Sequence, residues 1–273
     1  MSREVIDGKQ ISIKFKKRYP EFEFDKLKMY FGEPYIIDLE SANGKITVLV
    51  PTIGDIISVG EKKFYSTLNI FITNTTTYRL MLNEAGLDWN VVTDFELFCM
   101  LFANIDKDAS ALLFDNLDFS KFELFSKKLP DSEETTMILY DKEDDIEINE
   151  EVYQHIAQYL RNVFGMQPEE RITDDPVLKE MYLHKDRRQL EIDKKTGKKT
   201  ENSILPLISA CVNHPGFKYK LLELRHVNVC EFYDSVKRLQ IYENTTALLK
   251  GSYSGMIDSS KIDKEQFNFM REI

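Results

Sequence analysis

The opening residues alternate apolar and polar positions with the period of a β-strand. Ile11, Ile13 and Phe15 interleave with Ser12, Lys14 and Lys16, and Phe22 and Phe24 repeat the spacing. Further on, two β-rich runs, Tyr35 to Leu39 and Lys45 to Val50, flank Asn43-Gly44, a dipeptide that tolerates the positive φ angles of a tight hairpin; Pro51 ends the second run. From Thr52 the apolar period lengthens to that of a helix. Thr52 is expected to cap a segment carrying Ile53, Ile56 and Ile57 and, past Gly60, Phe64, Tyr65 and Leu68; a second segment, TTTYRLMLNEAG, stops at Gly86. The most apolar helix is FELFCMLFANI, with Asp94 as its expected cap. Its residues Phe95, Phe98, Leu101 and Phe102, three and four apart, place it at the centre of the middle region. Aromatic residues continue through LDFSKFELFSKK. TTMILYDKEDDIEIN then predicts two short strands about an acidic turn, near residues 136–148. Asn149 follows as the cap of EEVYQHIAQYLRNVFG, whose Val152, Ile156, Leu160, Val163 and Phe164 line one side before Gly165 ends the helix.

The composition then shifts. Residues 166–202 begin with Asp175-Pro176, a good N-cap and first-turn pair, and continue as a highly charged helix that fades into KKTGKKT with few apolar residues in its distal half. From Ile204 onward the pattern is a helical module: SILPLISACV, KYKLLELR, the long VCEFYDSVKRLQIYENTTALLKG and a short last helix, KEQFNFMREI. The expected fold class is α+β, mainly α. A β region at 1–51 is followed by a central helical domain at 52–165, a charged helix or linker at 166–202 and a C-terminal helical module at 203–273.

Composition narrows the classes. The chain has 273 residues, 42% hydrophobic and 12% aromatic, enough to build a core, and its formal net charge is −10. That acidic balance argues against general binding to nucleic acid or to anionic membranes, both of which reward a positive field, and favours protein partners. Cys99, Cys211 and Cys230 cannot all be paired, and ELFCMLF and LISACV look like core, which fits a reducing cytoplasm. Neither a signal-peptide run nor a stretch of membrane-span length is found.

One stretch poses a chemical question. CVNHPGFKYKLLELRHVNVC holds Cys211, His214, His226 and Cys230, the number and kinds of ligand a tetrahedral zinc site takes. Cys211, however, falls on the helical face of Ile204 and Ile208. His214 precedes the turn Pro215-Gly216. Asn228 with Glu231 reads as a helix-capping pair that puts Cys230 inside the first turn and His226 outside it. The expectation is therefore no metal and no cofactor. Walker A, GxGxxG, GxSxG and HExxH motifs are absent. The acidic set Asp141, Glu143, Asp144, Asp145 and Glu147 lacks the order of a calcium loop and reads as a solvated hairpin tip. The basic set Lys185, Arg187, Arg188, Lys194, Lys195, Lys198 and Lys199 is broken by Asp186, Glu191 and Asp193 and has no interleaved aromatics to stack on bases. No catalytic residue is assigned.

The stripe Phe232, Tyr233, Val236, Leu239 and Tyr242 lies at helical spacing. Beyond it, Tyr253 and Met256 sit in a glycine-containing loop before the last helix with Phe267 and Phe269. Phe232, Tyr233, Tyr253, Met256, Phe267 and Phe269 are the candidate partner-binding residues, with core packing the competing role.

The segments TVLVPTIGDIISVGEKKFY (47–65) and DFELFCMLFANIDKDASALLFDNLDFSKFELF (94–125) resemble those of phage tail assembly chaperones, in which a strand ends in Pro-Thr-x-Gly-Asp before a helix and an apolar helix leads to a Leu-Asp-containing step. The matching residues are Pro51-Thr52-Ile53-Gly54-Asp55 and Asn116-Leu117-Asp118-Phe119. The C-terminal module is similar to that of phage and prophage proteins of low-GC Gram-positive bacteria. The resemblance covers the middle half of the chain. It implies a non-enzymatic, mainly helical protein of the host cytoplasm that binds tape-measure and tail-tube proteins during assembly. A structural virion protein of the baseplate or connector, and a nucleic-acid-binding regulator using residues 185–199, are the alternatives.

Overall fold

The computed structural model describes residues 3–6, 9–12, 19–128, 135–197 and 204–272. The alternating opening run forms a hairpin, β1 (Arg3–Ile6) antiparallel to β2 (Lys9–Ser12), while Ile13 and Phe15 lie outside the described residues. Phe22 and Phe24 lie outside any strand. Their segment bonds to one side chain instead: the Phe22 N–H donates to the Gln158 amide oxygen at 2.9 Å and the Gln158 amide N–H donates to the Pro20 carbonyl at 3.1 Å. A single turn follows, α1 (Lys26–Tyr30), capped by Asp25.

β3 (Tyr35–Asp38) pairs antiparallel with β4 (Lys45–Val48). The connection is longer than a tight turn. Glu40–Ala42 form a 3-10 turn and Asn43, not Gly44, takes the left-handed conformation at φ 58°. Thr52 caps α2 (Ile53–Val59) in a reciprocal box with Asp55: the Thr52 N–H donates to the Asp55 carboxylate at 2.8 Å and the Asp55 N–H donates to Oγ1 of Thr52 at 3.2 Å. Gly60, at φ 100°, breaks the axis before α3 (Glu61–Ile72). α4 (Arg79–Glu84) ends at Gly86 with φ 76°, as its sequence requires.

Thr93, rather than Asp94, is the cap of α5 (Asp94–Leu101), because its hydroxyl accepts from Glu96 N–H while Glu96 accepts from the Thr93 N–H. Asp94 occupies the first turn and instead lies 3.5 Å from Arg161. α6 (Lys107–Ser110) leads to a strand that the pattern had not marked, β5 (Glu123–Lys128), which pairs with β6 (Thr135–Asp141). β7 (Ile146–Ile148) completes a sheet of order β5-β6-β7, and Asn149 caps α7 (Glu150–Phe164), which Gly165 ends at φ 60°.

α8 (Pro176–Thr196) starts at Asp175, and Gly197 closes it in the left-handed conformation. α9 (Leu205–Val212) and α10 (Val229–Tyr253) form the C-terminal part. Two segments expected as helices there are shorter 3-10 turns, Glu223–His226 and Lys264–Phe267. The architecture is α+β and mainly α, with small antiparallel sheets. No helix of the described residues is long and apolar enough to cross a membrane.

The buried cluster runs in sequence from Met29 to Val236. At its centre Phe71 touches Phe98, Phe114 and Phe119, with ring centroids 5.1–5.4 Å apart, and Phe98 stacks on Tyr153 at 4.8 Å. These rings bury large apolar areas where α3, α5 and α7 meet. A smaller cluster of Leu82, Trp89, Val92, Leu97 and Leu183 joins α4, α5 and α8.

Candidate functional site

The candidate zinc ligands stand in different settings. Cys211 is buried on α9; His214 accepts the Gly216 N–H at Nδ1, 3.0 Å away, and its Nε2 is 3.6 Å from Glu243. His226 is exposed at the end of its 3-10 turn, and Cys230 is half-buried in the first turn of α10. Among the described residues, no group of three or more His, Cys, Asp or Glu side chains is placed to hold a metal ion. Asn228 caps α10 by accepting the Glu231 N–H at 2.9 Å, but the reciprocal bond is missing, since the Glu231 carboxylate is taken by the hydroxyl of Tyr219 and the ammonium of Lys218.

The thiols are held protonated. Burial pushes Cys99 up to about 12 and Cys230 up to about 11, and raises Cys211 as well, so none is a thiolate nucleophile near neutral pH. In the acidic tip, Asp141 accepts the Glu143 N–H at 2.8 Å, Tyr140 donates to Asp145 at 2.6 Å, and Lys121 pairs with Glu143 and Asp144 at 3.0 and 3.1 Å. Glu143, Asp144 and Asp145 are exposed, as a solvated tip requires, but Asp141 and Glu147 are buried, the first accepting bonds within the turn and the second paired with Lys127 at 2.6 Å. The basic segment is divided likewise. Asp186 holds Arg79 in two bonds of 2.6 Å, and Arg187 pairs with Glu180 at 3.0 Å, while Lys198 and Lys199 lie outside the described residues.

The segment Pro51–Asp55 has an internal partner. The Ile53 N–H donates to the Val227 carbonyl at 3.0 Å and the Val229 N–H donates to the Pro51 carbonyl at 2.9 Å, making Thr52 and Asn228 a β-bridge. Gly54 lets this happen. A Cβ there would stand 2.6 Å from the Arg225 carbonyl oxygen. Asn228 adds a bond from its amide to the Tyr30 carbonyl at 3.0 Å, so α1, α2 and the start of α10 meet at one point.

The candidate partner residues separate into two groups. Phe232 is fully buried and Tyr233 is turned inward, its hydroxyl 2.7 Å from that of Tyr65, so both pack the interior instead of facing a partner. Tyr253 and Met256 are 85% and 86% exposed at the far end of α10, where Gly255 turns the chain at φ 74°. Phe267 is half-buried. Phe269 is exposed and meets Tyr242 edge-on at 6.0 Å.

Phe269 also marks a surface that the pattern along the chain did not reveal. The C-terminal segment folds back along α10, where Arg238 donates to the Phe269 and Arg271 carbonyls at 2.8 Å each and Thr245 donates to the Gln266 carbonyl at 3.0 Å. Between this segment, α10 and α1 opens a groove of about 480 Å³, with Tyr30, Phe217, Leu239, Tyr242 and Phe269 in its wall and Lys218, Asp234 and Arg238 at its edge. Exposed Phe31 and Met270 adjoin Tyr30 and Phe269 in the chain. Such an aromatic groove with a few charged groups suits the apolar face of a partner helix. A more polar cavity of about 580 Å³ lies over α7, with Gln154, Gln158 and Arg161 in its wall.

Comparison of the chain with protein-family models, with curated proteins and with solved structures found no match in any of the three.

Proposed function

We propose that this protein is a non-enzymatic assembly factor that acts by covering an apolar segment of another protein. The groove walled by Tyr30, Phe217, Leu239, Tyr242 and Phe269 is the observation that carries this reading. It offers aromatic surface with charged edges, and the reward for burial is about 25 cal/mol per Å² of apolar area removed from water. An apolar surface groove of this kind fits an amphipathic helix docking by its apolar face. The resemblance of residues 47–65 and 94–125 to phage tail assembly chaperones supplies the partner class: tape-measure or tail-tube protein in the host cytoplasm.

Co-expression with a phage tape-measure protein tests it. A soluble complex is expected, and Tyr242→Asp with Phe269→Asp should weaken it at least about tenfold by placing charge in the desolvated groove. No co-purification with any tail protein, or a complex indifferent to both substitutions, would count against the reading.

A further inference from the structure

Among the described residues β5 is an edge strand: it pairs only with β6, every residue of it except Phe125 is exposed, and no backbone hydrogen bond to another described residue leaves its outer side. Unpaired strand edges of this kind template the addition of another strand. The side chains select which. Glu123, Phe125 and Lys127 share one face of the sheet, and Leu124, Ser126 and Lys128 the other.

A two-fold axis that sets two copies of one strand side by side and antiparallel must stand perpendicular to the sheet. It therefore keeps each side chain on its own face, so residues opposite one another must share a face. Centring on Phe125 meets this condition and sets Glu123 opposite Lys127 twice, Leu124 opposite Ser126 twice, and Phe125 opposite its own mate. The lysines that would repel one another in a parallel array here meet carboxylates. Each cross-strand pair of this kind contributes about 0.2–1 kcal/mol, and the backbone adds about four hydrogen bonds. We infer that β5 is the dimerisation edge of the protein, pairing antiparallel with β5 of a second copy of this chain about Phe125 to make one continuous six-stranded sheet.

The full chain should show a reversible monomer–dimer equilibrium in sedimentation over a concentration series. Glu123→Lys and Lys127→Glu each set like charges opposite one another at both symmetric positions, so each alone should dimerise about tenfold more weakly than the native chain. Mixed in equal amounts they should regain native affinity, because every opposed pair is then complementary. Circular dichroism establishes that each variant is folded. Both exchanges also disturb a contact within the chain, Glu123 with Lys142 and Lys127 with Glu147, each at 2.6 Å, so cysteine pairs carry an independent test. Phe125→Cys should cross-link to its mate under mild oxidation, and Ser126→Cys, which faces Leu124, should not. A chain monomeric at every concentration, a dimer unmoved by the charge changes, or cross-linking through Ser126→Cys as fast as through Phe125→Cys overturns the inference.

Discussion

Gly54 shows how much one missing side chain decides. Alanine is a better helix former than glycine, so on propensity alone Gly54→Ala, at the second position of α2, would stabilise the helix. The 2.6 Å approach of the Arg225 carbonyl oxygen to a Cβ at this position reverses the sign, since the obstacle is backbone and cannot rotate away. Overpacking of this sort costs about 1–3 kcal/mol, so Gly54→Ala is expected to lower the urea midpoint, while Ser58→Ala on the exposed side of the same helix leaves it nearly unchanged. An unchanged Gly54→Ala midpoint would mean that α2 does not sit against residues 225–229. The pattern Pro-Thr-x-Gly-Asp was visible in the chain, and half of its meaning was too: the Thr52 cap is local, and the structure adds Asp55 as its reciprocal partner. The reason for the glycine was not, because Arg225 is remote in sequence.

At the scale of elements, α8 shows what tethers a charged helix. The irregular segment before it is sewn to residues 74–90 by hydrogen bonds that use side chains on one partner and backbone on the other. The Asn74 amide donates to the Glu169 carbonyl at 3.0 Å, Trp89 Nε1 to the Arg171 carbonyl at 3.1 Å and the Asn90 amide to the Thr173 carbonyl at 2.7 Å. The helix itself buries only Leu183. Its remaining hold is polar: Lys179 with Asp88 at 2.6 Å, and Arg79, 11% exposed, forked onto Asp186. A bidentate, largely buried arginine pair is worth more than a surface pair, and removing one partner strands the other charge. Arg79→Ala is therefore expected to raise amide exchange through 179–196 by about tenfold or more while leaving α3 and α7 protected. Uniform loss of protection across all helices would instead make Arg79 a general stability residue. The N-cap and the left-handed glycine of α8 were legible because caps are local; its docking was not, because Arg79 and Asp186 look like ordinary surface charges. β5 escaped for a related reason, since an exposed edge strand has no buried face to impose alternation.

Across the whole molecule, groups that gain a proton affinity on folding are spread through one core. Burial raises the thiols of Cys99 and Cys230 to about 12 and about 11, and raises the hydroxyls of Tyr65, Tyr153 and Tyr159 as well. Each is bound to its proton more tightly in the folded chain than in the unfolded one. Each therefore contributes stability that is complete below its unfolded value and is lost as pH rises toward its folded value. The urea midpoint should hold level from neutral pH to about 8.5, where an unfolded thiol begins to ionise, and fall steadily above it. A midpoint flat to pH 11 would show that these groups are hydrated. The division between what the chain announced and what only folding disclosed follows from range. Helix starts and stops, the strand period and the buried faces of α3, α5 and α7 were set by residues within a few positions of one another, where backbone geometry links spacing to side. The bridge of Thr52 to Asn228, the groove between α1, α10 and the C-terminal segment, and the inward turn of Phe232 and Tyr233 join residues far apart in the chain. No local spacing encodes such meetings, because they depend on how whole elements pack.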